Sequence, residues 1–332
     1  MKLVYFAVFA LSFCLTVYFF EKGSEKEIVD KGLSLVGFER LTGFSKDNVL
    51  EALPALKKSC TVLKKQKRWK KFCSALNKKK FETSADLAGF IKERMKPYSF
   101  GQTGLFTGYY KPELDGALLK TEKFKVPVYG MPSESKKNLT RKEIDEGLSD
   151  AEPIAWIEHK ADLFIVQVQG SAVLNLPDGR KISLNYAGNN GHPFFGIGKV
   201  MAKKGIHDTR KIRRWLIDHP EKADAVMHLN KRYIYFKTSR ETDAIGTLGV
   251  ALTAQRSMAV DPAFVPLGAP VWLETVDSDG RPLRRLIVAQ DTGSAIKGRV
   301  RGDFYWGSGH KALEKAGRMK SKGTYFILLP DE

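Results

Sequence analysis

Arg256-Ser257-Met258-Ala259-Val260-Asp261-Pro262, Ala289-Gln290-Asp291-Thr292-Gly293 and Gly302-Asp303-Phe304-Tyr305 place three aspartates on three short segments near the C-terminus, each among glycines, prolines and β-branched or aromatic residues. Carboxylates at strand ends and turns, with few basic neighbours, can be partly desolvated and held protonated for acid catalysis. Asp also orders turns, so each of the three has a structural reading beside the catalytic one. Three in one module favour an active site. The apolar runs at 271–273, 286–289 and 325–329 read as strands, with Asp279-Gly280 turning between the first two. Strands of this size with Gly and Pro turns argue for a small barrel.

Working outward, 163–169 alternates like a strand, Asp178-Gly179 follows as a hairpin turn, and 233–236 is a further strand. Helices are expected over 195–201 and 209–219, the second with Ile212, Trp215 and Leu216 on its buried face. The region 45–98 is helical in pattern. Ser45 is expected to cap a first helix that Pro54 breaks, a second covers 63–76, and Thr83 or Ser84 caps a third that Pro97 stops. The fold class is mainly β with a helical N-terminal part.

At 332 residues, one or two domains are expected, with ample chain for a core. The net charge of +18 is concentrated in the lysines and Arg68 of 57–80, interleaved with Leu63, Trp69, Phe72 and Leu76. Such a stripe is a solvated helix face or a surface for a polyanion: nucleic acid, anionic lipid or an acidic wall polymer. No helix-turn-helix, zinc-finger or stacked-aromatic signature accompanies it, so nucleic acid is not the expected partner.

Residues 3–20 form an almost unbroken apolar run long enough to cross a bilayer, followed by Glu21-Lys22-Gly23-Ser24. Its length, its Phe and Tyr content and the lack of a small-x-small site favour an uncleaved signal anchor with the rest of the chain exported. Cys60 and Cys73 flank the basic stretch, and in an oxidising compartment such a pair can join; the alternative is two buried thiols. The six histidines lack ligand spacing, and there is no Cys-x-x-Cys, phosphate loop or Gly-x-Ser-x-Gly elbow. Neither metal nor cofactor is implied.

The aspartate module, with Val265-Pro266-Leu267-Gly268, Ala295-Ile296-Lys297-Gly298 and Trp306-Gly307, follows four other landmarks in order. These are Leu105-Phe106-Thr107-Gly108-Tyr109-Tyr110-Lys111-Pro112-Glu113, Val168-Gln169-Gly170-Ser171, Tyr186-Ala187-Gly188-Asn189-Asn190-Gly191-His192 and Tyr233-Ile234-Tyr235-Phe236-Lys237. From about Phe38 to the end, the chain resembles the MltA family of lytic murein transglycosylases. The resemblance implies a double-psi β-barrel domain split by an inserted second β-domain, with a groove between them. Mapped here, 1–22 is the signal anchor, 23–124 the helical region and first part of the barrel domain, 125–242 the insert, and 243–332 the second barrel part with the three-aspartate module. Family members are often lipoproteins, but Leu11-Ser12-Phe13-Cys14 has a bulky Phe13 where a small residue is wanted, so a signal anchor is favoured. The implied location is the periplasm, at the membrane; the implied partners are peptidoglycan glycan strands and other cell-wall enzymes.

The same resemblance makes Asp303 the single catalytic residue. It would protonate the bridging oxygen of the β-1,4 bond between N-acetylmuramic acid and N-acetylglucosamine, then as carboxylate take the proton of the C6 hydroxyl that closes a 1,6-anhydro ring. Asp291, with Thr292 beside it, would orient sugar hydroxyls or the catalytic loop, and Lys297 would offset charge or meet the muramyl carboxylate. Asp261 would fix a turn. Tyr109, Tyr110, Gln169, Ser171 and Asn189 are placed along the groove, and Trp306 stacks on a sugar or plugs the barrel. A hydrolase would instead use Asp291 as a second carboxylate; a non-catalytic wall-binding module is the other alternative. The chain departs from the family over His310-Lys311-Ala312-Leu313-Glu314-Lys315-Ala316-Gly317, where an acidic-Ala-Gly stretch is usual.

Overall fold

The computed structural model describes residues 32–331, so the expected signal anchor and Cys14 lie outside the described residues. Among the described residues no helix is long and apolar enough to cross a membrane. The chain divides into two compact units. Among the described residues, the first holds 32–107, Ile245–Tyr305 and 319–331; the second holds Gly108–Ala244 and Trp306–Arg318.

With strands numbered along the chain, the first unit is built on β1 (Ser34–Leu35), β2 (Met95–Ser99), the first part of β3 (Gly104–Lys111) up to Thr107, β10 (Ser257–Val260), β11 (Pro270–Val276), β12 (Pro282–Thr292), the first part of β13 (Arg301–Ser308) up to Tyr305, and β14 (Lys320–Pro330). Their order is β1-β2-β14-β11-β12-β10-β13-β3, and β3 also pairs with β14. That last pairing closes β14, β11, β12, β10, β13 and β3 into a six-stranded barrel, which leaves no open edge in the ring. A closed barrel interrupted in sequence by a second β unit is the expected fold class. Each of the six strands gives a fully buried side chain to the core: Phe106, Met258, Val271, Ile287, Phe304 and Ile327. Val271 lies between Ile287 and Ile327, and Met258 opposite Phe304, so these are cross-strand pairs on one face. The run 286–289 on β12 has no exposed residue, as a strand covered on both faces requires.

The second covering of β12 is helical. Helix Leu53–Leu63 packs against it, and the buried Gln290 side chain donates to Ala55 O at 3.0 Å and Ser59 Oγ at 2.9 Å. Pro54 sits in the first turn of this helix, where its missing N–H costs nothing, and the chain before it forms short 3-10 turns at Phe44–Lys46 and Val49–Ala52. Ser45 therefore caps no α-helix and Pro54 breaks none. The second helix is Lys67–Lys78, beginning after a turn, and a disulfide joins Cys73 on it to Cys60. Thr83 caps helix Ser84–Arg94 through a reciprocal capping box with Asp86.

Arg256, immediately before β10, has its side chain buried with that of Asp47. Its guanidinium donates to both Asp47 carboxylate oxygens at 2.7 and 3.0 Å, to Glu51 at 2.7 Å, and to the carbonyls of Leu286 and Asn48. Asp47 also accepts the Leu286 amide, so one ion pair ties the helical segment to both β10 and β12.

The second unit carries β4 (Glu113–Ala117), β5 (Val126–Tyr129), β6 (Pro153–Ile157), β7 (Ser171–Asn175), β8 (Lys181–Asn189) and β9 (Ile234–Ser239) in the order β5-β6-β4-β7-β8-β9. Residues 108–124, placed by sequence with the barrel, fall here because β4 pairs with both β6 and β7. The expected strand at 163–169 is helix Lys160–Gln169, ended by Gly170 at φ +83°. Ala161 and residues 163–167 are all buried, and a short apolar run covered on every side reads alike as strand or helix. Helices Thr209–Asp218 and Pro220–His228 follow, the second unanticipated. Two cations are buried in this unit. Lys111 donates to Ser183 Oγ at 2.8 Å and to the Thr242 and Asp243 carbonyls at 2.9 Å, and burial pushes its amine down to about 8. Arg141 binds Gln167 Oε1 and the carbonyls of Asn230 and Arg232.

Replacing Arg256 with Met would leave the Asp47 carboxylate buried without its partner, a loss expected to cost about 3–5 kcal/mol. Urea unfolding followed by a signal from the first unit measures it; a change below about 1 kcal/mol would mean the pair is not stabilising.

Candidate active site

The four residues of β10 set the site. On one side β10 runs antiparallel to β13, with Ala259 opposite Asp303; on the other it runs parallel to β12, with Ala259 opposite Asp291. Asp303, Ala259 and Asp291 thus form a row across three strands. The β10–β12 register passes from Met258↔Ala289 directly to Ala259↔Asp291, so Gln290 is an extra residue in β12. This bulge turns Gln290 into the packed layer beside Ser257 and brings Asp291 into line with Asp303. Gly302 and Phe304 share the opposite face of β13 with Met258. A Cβ on Gly302 would stand 2.4 Å from the Met258 sulfur and 2.9 Å from the Phe106 ring, so glycine is required for the core to close behind Asp303.

Asp303 is half-buried and its carboxyl pKa is pushed up to about 6. Desolvation is the main cause, and the Asp291 charge adds to it; a Thr107 hydrogen bond and the Arg301 charge oppose the rise. Thr107 Oγ1 donates to Asp303 Oδ1 at 2.5 Å and itself accepts from Arg301 Nη2 at 2.9 Å. Arg301 also donates to the carbonyls of Leu105 and Gly302. The Arg301 guanidinium is linked to the carboxylate through the threonine hydroxyl, and its charge and that hydrogen bond temper the acid without outweighing desolvation.

Asp291 is differently placed. Its Oδ1 accepts the Thr247 amide, the Thr247 hydroxyl and the Thr292 amide, all at 2.9 Å, and Thr247 Oγ1 lies 2.8 Å from Thr292 Oγ1. Asp261 is buried beyond the end of β10, where its carboxylate accepts from the amides of Ala263 at 3.2 Å and Gly298 at 2.8 Å. Lys297 is exposed and 3.8 Å from that carboxylate. Thr107, Arg301 and Thr247 were not singled out from the sequence. Thr107 lies within a quoted landmark, but only the closure of β3 on the barrel brings it to Asp303.

The other expected site residues lie in the second unit. Tyr110 is buried with Ala312 and Ala316, with Trp306 and Leu313 packed against them, and its hydroxyl pKa is driven upward by burial and by Asp162. Its amide donates to Gln169 Oε1 at 3.1 Å. A side chain on Gly108 would meet the Trp306 indole at 2.6 Å, so that glycine makes room for the tryptophan. Ser171 pairs with Asn185, and Tyr109 is half-buried. Asn189 spends its side chain locally, donating to Tyr186 Oη at 2.5 Å and accepting from the Gly191 amide at 2.9 Å. The divergent run after Gly309 forms helix Gly309–Ala316. Among the described residues no group of three or more His, Cys, Asp or Glu is placed to hold a metal.

Two family models match in succession: the MltA specific insert domain over residues 105–237 and the 3D domain over 256–329. The chain belongs to the MltA family. A membrane-bound lytic murein transglycosylase A of Vibrio cholerae is 32% identical over 239 residues, which span 68% of this chain and 65% of that relative. MltA from Neisseria gonorrhoeae is similar in structure, with a TM-score of 0.80 at 28% identity over 90% of this chain and 92% of the other. Escherichia coli MltA with bound chitohexaose gives 0.70 at 25% identity, over 91% and 95% of the two chains. The MltA-specific model spans the second unit's sheet, and the 3D model spans the three aspartates.

Two outcomes are expected from this geometry. Thr107→Val removes a hydrogen bond that favours the ionised form, so the Asp303 pKa should climb further, read by the pH dependence of carboxyl modification at Asp303; an unmoved profile would remove Thr107 from the site. Asp303→Asn should stabilise the fold at pH 7.5 and do little at pH 4. The native state holds the Asp303 proton up to about 6 and the unfolded chain releases it near the ordinary carboxyl value, so wild type loses stability as pH rises through that window. The gain is at most about 3 kcal/mol, measured by thermal unfolding of both proteins at the two pH values; equal stabilities at pH 7.5 would count against a desolvated carboxyl.

Proposed function

We propose that this chain is a peptidoglycan lytic transglycosylase, exported and held at the membrane, with Asp303 as its one catalytic acid and base. The observation that carries the reading is a desolvated carboxyl, raised to about 6, on a barrel strand of an MltA-family chain. A carboxyl titrating there is still partly protonated near neutral pH, as a general acid requires. In the first step Asp303 gives its proton to the oxygen bridging N-acetylmuramic acid and N-acetylglucosamine as the C1–O bond breaks. In the second, the resulting carboxylate takes the proton of the muramyl C6 hydroxyl, whose oxygen bonds to C1. A 1,6-anhydro end forms, no water enters, and the acid is regenerated.

The relatives support the substrate class: one is named a lytic murein transglycosylase, and another was solved with chitohexaose, a β-1,4-linked N-acetylglucosamine oligomer. The location rests on the membrane-bound name of the relative and on the apolar run at 3–20. Asp291 is a poor second carboxylate for hydrolysis, because three donors already converge on its Oδ1. It supports Asp303 by charge and by fixing the loop that starts at Thr292. Asp261 with Lys297 holds the neighbouring turn, and Tyr109, Tyr110, Gln169, Ser171, Asn189 and Trp306 are assigned to shaping the sugar-binding surface of the second unit.

The full chain in detergent, incubated with purified peptidoglycan, should release 1,6-anhydromuropeptides by mass spectrometry, and Asp303→Asn should release none while remaining folded. Reducing-end products, heavier by one water, would make the protein a hydrolase. Release of nothing, with sacculi still bound, would make it a binding module. For the wild type, kcat/KM should fall about tenfold per pH unit above about 6, since the protonated form starts the reaction; a flat profile to pH 8 would remove Asp303 as the acid.

A further inference from the structure

The densest charge in the chain plays no part in the site. Between residues 53 and 80 eleven residues are Lys or Arg and none is Asp or Glu. The fold sorts this stretch into two faces. On helix Lys67–Lys78, Trp69, Phe72, Cys73 and Leu76 are buried, whereas Lys67, Lys70, Lys71 and Lys78 are exposed at the spacing of one helical face. Lys64 and Lys65, in the turn before it, are exposed as well. The Cys60–Cys73 disulfide fixes the preceding helix beside this one, so the charges sit on a rigid platform. Among the described residues, the one ion pair involving this stretch is Lys80 with Glu82 at 3.3 Å, at its far end.

We propose that this face is an electrostatic docking surface for an anionic lipid bilayer, engaged independently of any insertion of the apolar segment at 3–20. Holding so many like charges together is unfavourable unless a partner supplies the opposite charge. The partner's form follows from what the face lacks. Its aromatic residues all point inward, so it offers no stacking platform for nucleobases and no flat apolar patch for sugar rings. What remains is a convex array of flexible ammonium groups, which suits a fluid, laterally adaptable layer of phosphate headgroups, where basic residues near the surface act additively. The apolar run ends about thirty residues before helix Leu53–Leu63, which keeps a membrane holding that run within reach of the face. Docking here would fix which side of the first unit meets the bilayer.

The test uses the full chain in vesicles, once of phosphatidylcholine alone and once with phosphatidylglycerol added, with lysine reactivity toward an amine-modifying reagent read residue by residue by mass spectrometry. Lys64, Lys65, Lys67, Lys70 and Lys71 should be labelled about fivefold more slowly in the anionic vesicles at low salt. The protection should vanish near about 1 M salt, where the Debye length falls to about 3 Å. The exposed Lys125 and Lys203 of the second unit serve as internal references and should not change. Equal labelling in the two vesicle types overturns the proposal. Protection of the same lysines by soluble peptidoglycan fragments, and not by anionic lipid, also overturns it and makes the face a wall-polymer surface. Because the readout is lysine protection, it stands or falls separately from catalysis at Asp303.

Discussion

The structure turns on a four-residue strand that is antiparallel to one neighbour and parallel to the other. Because β10 pairs with β13 on one side and β12 on the other, Ala259 fixes the positions of Asp303 and Asp291 at once. Side chains alternate along a strand, so a slip of one residue in either pairing would turn the aspartate concerned into the core. The register is guarded on both sides. Gly302, with no room for a Cβ against Met258 and Phe106, closes one, and the bulged Gln290, anchored to Ser257, Ala55 and Ser59, closes the other.

Polar groups hold this arrangement as much as apolar ones do. Arg256 precedes β10 and Gln290 lies within β12 beside Asp291, and both reach away from the site into the helical layer. A buried ion pair is weak support for stability in general, yet it is demanding about geometry, and here a single guanidinium meets five acceptors on two segments, 47–51 and β12. The helical region thereby becomes the outer wall of the barrel at the strands that matter. Lys111 performs a similar closure in the second unit, where its ammonium joins the segment entering that unit to the carbonyls of Thr242 and Asp243 on the segment leaving it.

The site itself shows the reverse economy. Asp303 is kept desolvated beside another carboxylate, which opposes its ionisation, and the Arg301 charge and the Thr107 hydrogen bond only partly offset this. Such an arrangement gives up stability to hold a carboxyl at a raised pKa. The contrast with Asp261 is instructive: an aspartate of the same module, buried almost fully, spends its oxygens on backbone amides at a turn and so behaves as structure.

The sequence alone was enough to mark the three aspartates, the barrel-sized strands around them, a helix cap at Thr83 or Ser84 and the turns at Gly179 and Gly280, because each of these rests on local chemistry: turn geometry, capping, and alternation over a few residues. It also carried the family motifs. It misread 163–169 as a strand, since a helix buried all round leaves no polar face to reveal its period. Pro54 seemed a break because its position within the helix, harmless in the first turn, depends on where the helix starts. Thr107 and Arg301 stayed hidden because their roles arise from contacts between β3 and β13, almost two hundred residues apart. How far the Asp303 carboxyl is desolvated, and which donors meet Asp261 and Asp291, were likewise decided by tertiary structure, since a carboxyl's pKa depends on the water, donors and charges the fold sets around it, and those come from distant segments.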